Sequence, residues 1–391
     1  MSTAVPTDRP GAAATAEPEP EQKVTPLELF FDLIFVFAFT QVTLLMSENP
    51  TWEGLGQGML VLAAVWWAWG GFAWLTNGLR SDDGIARFGL LSAMAAMLIA
   101  ALAIPQAFGE DPVTFAVAYF AVRVLHIAVY TYGVPEIDAR DAMVNLAPGL
   151  LFAPALLIIA ALFGGTAQAV IFVAALLIDY GTPYVRGVAG FRVSPAHFAE
   201  RFSLIVIIAL GESIVAIGTG LDGDVLTAGV VATGLAGIAL AGAQWWAYFD
   251  VVSNVAERKL TEARGVERNR LARDSWGVMH GLLIAGIILV ALGIKKSIDV
   301  YDVPLKTVPA VALCAGLALY LVGHVAIRYR SVRSLNRARS VAAAAALALI
   351  PLATTADAVV TVYAAALVMI ALVVYETVRY REQRARLRVA G

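Results

Sequence analysis

Apolar stretches of about 20 residues recur along this chain from Leu27 to Val378, divided by short polar segments. Each is long enough to cross a hydrocarbon layer roughly 30 Å thick. In lipid such segments must be helices, because a helix satisfies its own backbone hydrogen bonds. Composition agrees: 60% of the 391 residues are hydrophobic and only 15% are charged, with mean hydropathy +0.76. Soluble domains are nearer half apolar and a quarter charged. The expected fold is an all-α integral membrane protein whose first partner is the lipid bilayer.

Twelve spans are predicted, over 27–46, 54–77, 87–108, 113–134, 142–163, 167–186, 201–220, 225–252, 274–293, 305–327, 338–354 and 358–378. The eleventh is the shortest and Pro351 interrupts it; the fifth carries Pro148 and Pro154, each of which removes a backbone donor and predicts a kink. Basic residues assign the sides. Arg80, Arg87, Arg140, Arg186, Arg192 and Arg201, the run from Arg258 to Arg273, and Arg328 to Arg339 all fall in even-to-odd loops; Arg379 to Arg388 follow the last span. The opposite loops hold Glu48, Glu53, Glu110, Asp111, Asp222 and Asp224, with Lys295, Lys296 and Lys306 as exceptions. Both termini are expected in the cytoplasm. Residues 1–26, rich in Ala, Pro and Glu, read as a disordered cytoplasmic tail rather than a signal peptide, and 381–391 as a basic cytoplasmic tail.

Laying the first six spans over the last six exposes an internal repeat. ELF at Glu28 matches ERF at Glu200, WWAW at Trp66 matches WWAY at Trp245, and Asn77 and Asn254 follow them. HIAVY at His126 matches HVAIRY at His324, AR at Arg140 matches AR at Arg339, and Asp179 matches Glu376. Matches in constant order predict two six-helix repeats, 27–190 and 191–380. An even number of spans per copy makes the repeats parallel, about an axis along the membrane normal. The repeated tryptophan pairs lie inside spans, which points to helix packing at equivalent places.

Ionisable residues within spans carry the functional information, since one at the bilayer centre costs roughly 2.5–3.5 kcal/mol on insertion scales. Asp32, Gln41, Arg123, His126, Glu212, Ser213 and His280 are the candidates for an ion or substrate path. Asp32 shares a helical face with Glu28, and Arg123 with His126, by their spacing. His126 suits proton transfer, its unperturbed pKa being about 6.5. Glu28, His197, Glu200, Arg201, Asp179, Asp250, His324 and Glu376 read as structural polar groups that fix helix packing. By depth, most of these groups fall in the cytoplasmic third, where a shared polar network can form.

Enzyme signatures are thin. The one cysteine, Cys314, excludes disulfides and cysteine metal sites. GTGLDG (Gly218, Gly220, Gly223) has dinucleotide spacing but follows no strand. No Walker A loop, HExxH or GxSxG is present, and the four histidines lack close ligand spacing. No catalytic residue, metal, cofactor or nucleic-acid partner is therefore expected. The expected partners are the bilayer and a small solute or cation, with self-association left open.

Two blocks resemble a known family. PLELFFDLIFVFAFTQVT (Pro26 to Thr43) and HFAERFSLIVIIALGESIVAIG (His197 to Gly218), followed by WWAYFD (Trp245 to Asp250), resemble the signatures of the bacterial low temperature requirement A family. The resemblance covers roughly residues 24–380 and falls on Glu28, Phe31, Asp32, Gln41, His197, Glu200, Arg201, Gly211, Glu212 and Ser213. It implies a multi-pass inner-membrane protein linked to growth in the cold, and no established molecular activity. Phe31-Asp32 in a six-plus-six chain is also similar to the Phe-Ser-Asp signature of a two-repeat potassium-channel family, without its serine and with Leu204 in place of a second aspartate. A transporter or channel for a small solute or cation is the leading expectation. The alternatives are a non-catalytic membrane protein of cold adaptation and a membrane-embedded enzyme acting on lipid.

Overall fold

The computed structural model describes residues 23–79, 84–221 and 225–381. Most of both expected tails, with Arg384, Arg386 and Arg388, lies outside the described residues, as do Arg80, Asp222, Gly223 and Asp224. What is described is helical, with one isolated β-bridge between Pro304 and Asp357.

The first half comprises α1 (Pro26–Glu48), α2 (Trp52–Gly78), α3 (Gly84–Ala103), α4 (Pro112–Gly133), α5 (Ile137–Ala160) and α6 (Gly165–Val185). The second comprises α7 (Pro195–Thr219), α8 (Ala228–Ala247), α9 (Ser253–Glu262), α10 (Gly265–Leu271), α11 (His280–Asp299), α12 (Thr307–Val332), α13 (Arg337–Ala348), α14 (Ile350–Ala353) and α15 (Ala358–Arg379). Sequence sets these starts: Thr51, Asp111, Thr227 and Asn336 each accept a hydrogen bond from a first-turn N–H, which supplies one of the four orphan donors of a helix end. Helix α5 runs on through Pro148 and Pro154.

Two π-helical turns, Tyr248–Val252 and Ala272–Met279, join α8 to α9 and α10 to α11. Each composite rod spans 35 residues, Ala228–Glu262 and Gly265–Asp299. The basic run Arg258 to Arg273, expected as a loop, is instead a helical hairpin. Its charged residues are good helix formers, Arg258 pairs with Glu262 one turn on, and Gly265 at φ +54° makes the reversal.

Eleven helices among the described residues are long and apolar enough to cross a membrane. The segment expected as an eleventh of twelve spans departs from that pattern: α13 stops at Ala348, and the four-residue α14 holds Pro351, which has no N–H to continue the ladder. Its two ends nevertheless lie at opposite ends of the bundle. Arg339 bonds Glu376 in the last turns of α15, whereas the Ala353 carbonyl accepts from Leu305 just before α12.

Contacts between helix ends fix a common face. Val24 beside Glu200 puts the starts of α1 and α7 together, and Ser194 on Asn77 adds the end of α2. Arg339 on the Ala247 carbonyl adds the end of α8. The start of α1 and the end of α15 thus share one face, termed the terminal face below. Within the halves, α1–α2, α1–α3, α3–α4, α4–α5, α5–α6 and α2–α6 pack together, as do α7–α8, α7–α11, α11–α12, α12–α13, α13–α15 and α8–α15. Between halves, α1 and α2 meet α7 and α11.

Glycine allows the tightest of these contacts. A Cβ on Gly286 of α11 would stand 2.6 Å from the Gly316 carbonyl oxygen on α12, and one on Gly316 would stand 3.0 Å from that of Gly286. Backbones approach this closely in membranes only where small residues line the seam. The tryptophan pairs divide. Trp66 is buried and Trp67 half-buried, but Trp245 and Trp246 are exposed on the outer surface of α8, so packing at equivalent places holds only for the first pair.

Candidate functional site

Helices α1 and α7 run parallel and nearly in register, and their polar residues meet in steps. Thr25 caps α1 by accepting from the Glu28 amide, and Glu28 Oε2 in turn accepts from the Thr25 amide at 2.7 Å, a capping box. The same carboxylate lies 3.1 Å from His197 Nε2 and 3.9 Å from Arg201 Nη1. One turn deeper, Asp32 Oδ1 accepts from Arg201 Nη2 and from the Trp69 indole, both at 2.9 Å. The Arg201 guanidinium lies 5.9 Å from the centre of the Trp69 ring, within reach of a cation–π attraction.

Charge counting here has a consequence. Two carboxylates face one guanidinium and one imidazole, with side-chain exposures of 0–5%. An uncompensated buried charge costs several kcal/mol. The two carboxylates outnumber the single permanent cation, Arg201, so His197 and Trp69 share the task of satisfying them. The four groups form a buried charged cluster next to the terminal face.

Further along the seam, Glu212 of α7 accepts from the Thr40 hydroxyl of α1 at 2.7 Å. Glu212 is 2% exposed and, among the described residues, makes no ion pair within salt-bridge distance, although Lys295 of α11 lies within electrostatic range. Its neighbour Ser213 is fully buried with its hydroxyl unpartnered, and Gln41 is half-buried on α1.

A second centre lies inside the first half. Arg123 of α4 pairs with Asp179 of α6 at 2.8 Å, and Trp67 of α2 adds a polar contact to the same carboxylate. His126 bonds the Gly71 carbonyl at 3.0 Å through Nε2. Arg123 and His126 line a cavity of about 80 Å³ walled by Trp67, Trp74, Leu146 and Phe191, with Arg273 at its terminal-face side. Asp32 and Asp179 are thus held alike, each between an arginine of another helix and a tryptophan of α2.

The second half has its own cluster. His280 bonds the Tyr248 hydroxyl at 3.1 Å and the Ser275 carbonyl at 2.8 Å, joining the two π-helical turns. Such turns concentrate at functional sites. His324 lies between Tyr248 and Tyr320, both ring nitrogens unpartnered. Arg339 binds Glu376 through two nitrogens, at 2.9 and 2.7 Å.

The expected single layer is therefore divided. Phe72 packs against Phe31 and His126, and Trp66 and Phe202 stand between the Asp32 cluster and His280. Asp32, Glu28, His197 and Arg201 come together; Arg123, His126 and Asp179 form a second group; Glu212 sits apart with Thr40. Glu200 is exposed and accepts from the Val24 amide. Asp250 is half-buried within the first π-helical turn. Sequence reasoning missed Trp69, Thr40, Tyr248 and Arg339. Arg339 looked like a loop base; the signal available was Asn336, a good cap placed to start a helix over it.

Among the described residues, eleven long apolar helices around buried ion pairs define a polytopic helical membrane protein. The chain belongs to the bacterial low temperature requirement A family, whose sequence model matches residues 23–374. It is also 29% identical over 320 residues to an uncharacterized protein of Rhizobium meliloti (strain 1021), covering 79% of this chain and 78% of that one.

Proposed function

We propose that this chain is a transport protein of the cytoplasmic membrane, built of two parallel six-crossing repeats, that moves a small solute or cation with protons held at the seam between the repeats. The α1–α7 register carries this reading. Thr40 and Glu212 are 172 positions apart, the same offset that lays Glu28 on Glu200. Equivalent residues that touch are what a two-fold axis between parallel repeats produces. Buried ionisable groups on that axis fit the place where repeat-built transporters hold substrate and coupling ions.

Other observations support the same picture. Helix pairing in one half follows that of the other when α11, α12, α13 and α15 stand for α3, α4, α5 and α6. The opposed ends of residues 337–353 favour a twelfth crossing, in keeping with the shared face of the α1 start and α15 end. Arg192, Arg264, Arg328 and Arg333 are exposed near the terminal face, and Glu48, Glu53 and Glu110 near the other, which favours cytoplasmic termini.

The test is flux in proteoliposomes of purified protein, read with dyes for protons and potassium. Native flux that Glu212→Gln and Asp32→Asn both remove supports transport along the seam. Absence of flux across a range of pH and ions sinks the reading in favour of a purely architectural role.

A further inference from the structure

We propose that the cavity among α2, α4, α5 and α6 binds a short-chain monocarboxylate, its carboxylate on Arg123 and its alkyl body against Trp67, Trp74 and Leu146. The assignment to a transported solute rests on the function proposed above; the binding site itself does not.

Charge chooses the head group. Among the described residues, the charged side chains lining the cavity are Arg123, deep on α4, and Arg273, toward the terminal face, with no carboxylate. Among the described residues, Asp179 engages Arg123 through Nη2 alone, and Arg123 Nε, on a side chain 2% exposed, has no acceptor. Arg123 is thus held in place by one acid with donors to spare, and a guanidinium presents its donors in a fork matched to a second carboxylate. Arg273 is itself fixed by Asp274 and by Tyr184, whose ring lies 3.7 Å away. It places a cation along the approach from the terminal face.

Size and lining choose the body. The cavity of about 80 Å³ is well below the roughly 150 Å³ of a cavity known to hold benzene, which favours a short alkyl chain over a bulky body. Indole and aliphatic walls offer an alkyl chain contact and no hydrogen bonds. Gly70 leaves its side of α2 bare, since a Cβ there would meet nothing within 4 Å.

Isothermal titration of the purified full-length protein with butyrate tests this. Butyrate should bind at a stoichiometry of one, and the neutral isostere butyramide should bind at least tenfold more weakly. Gly70→Val, whose added methyls enter open space, should abolish binding without loss of thermal stability. Arg123→Gln with Asp179→Asn, which removes the charge pair together, should weaken butyrate at least tenfold. Equal binding of butyramide, or unchanged affinity in Gly70→Val, overturns the proposal. Binding of octanoate or palmitate but not butyrate overturns it in favour of a site for lipid acyl chains. Butyrate binding without flux retains the site and removes the transport reading; flux without butyrate binding does the reverse.

Discussion

Thr40 donates its hydroxyl to Glu212 across 172 positions of sequence, 2.7 Å apart, on two parallel helices that begin at the same face. The pair places an acid held by neutral hydroxyl donors within the seam, with Lys295 in electrostatic range. An amide is nearly isosteric with the acid and keeps an oxygen to accept from Thr40. Glu212→Gln should therefore leave the unfolding temperature within about 2–4 °C of native, the shift expected for a change of about 1 kcal/mol in a large domain. The same variant should lose flux, so thermal melts and liposome assays on one preparation separate fold from function. A melt lowered far beyond this range would show Glu212 to be structural.

The Glu28, Asp32, His197 and Arg201 cluster allows a directional test. Arg201→Ala leaves two buried carboxylates facing a single imidazole, and removing one partner of a buried pair costs about 3–5 kcal/mol. Asp32→Asn instead leaves one acid against one guanidinium, a balanced pair, and should cost less. Melting of the two variants and of the double variant Asp32→Asn with Arg201→Gln checks the order. Arg201→Ala should be the least stable of the three.

Much of this was legible in the sequence. Long apolar runs dictate membrane helices whatever their packing, and the spacing of Glu28 from Asp32 puts both on one face of α1. Partners across helices were not legible, because pairing depends on which faces meet: nothing in the order of residues joins Asp32 to Arg201 rather than to Arg123. The exposed Trp245 and Trp246 show the converse. A repeated motif keeps its sequence while one copy faces inward and the other outward.

Arg339 and Glu376 anchor the α13 segment to α15. Both side chains are under a tenth exposed, with two charge-assisted bonds between them and a third from Arg339 to the Ala247 carbonyl. Arg339→Gln should cost about 3–5 kcal/mol by leaving Glu376 short of its buried partner. A double-mutant cycle with Glu376→Gln should show coupling above about 1 kcal/mol, whereas additive losses would mean the two residues act separately.

Twelve crossings and eleven differ in one checkable place. Leu335 and Thr355 are both exposed and flank the α13–α14 segment, whose 17 residues from Arg337 to Ala353 are short for a span. At 1.5 Å per residue they reach about 25 Å, less than the roughly 30 Å of a typical hydrocarbon core. Local thinning of the bilayer accommodates such a deficit at fractions of a kcal/mol per Å. On the twelve-crossing reading, the deficit between Arg339 beside Glu376 and Ala353 beside Leu305 would be met this way. The native Cys314 is buried, so Leu335→Cys and Thr355→Cys offer clean single labels to a maleimide that cannot cross the membrane. In intact cells Thr355→Cys should react and Leu335→Cys should react only after permeabilisation. Labelling of both from one side would mean that residues 337–353 fold back on the face they leave, and the two-repeat arrangement would fall with them.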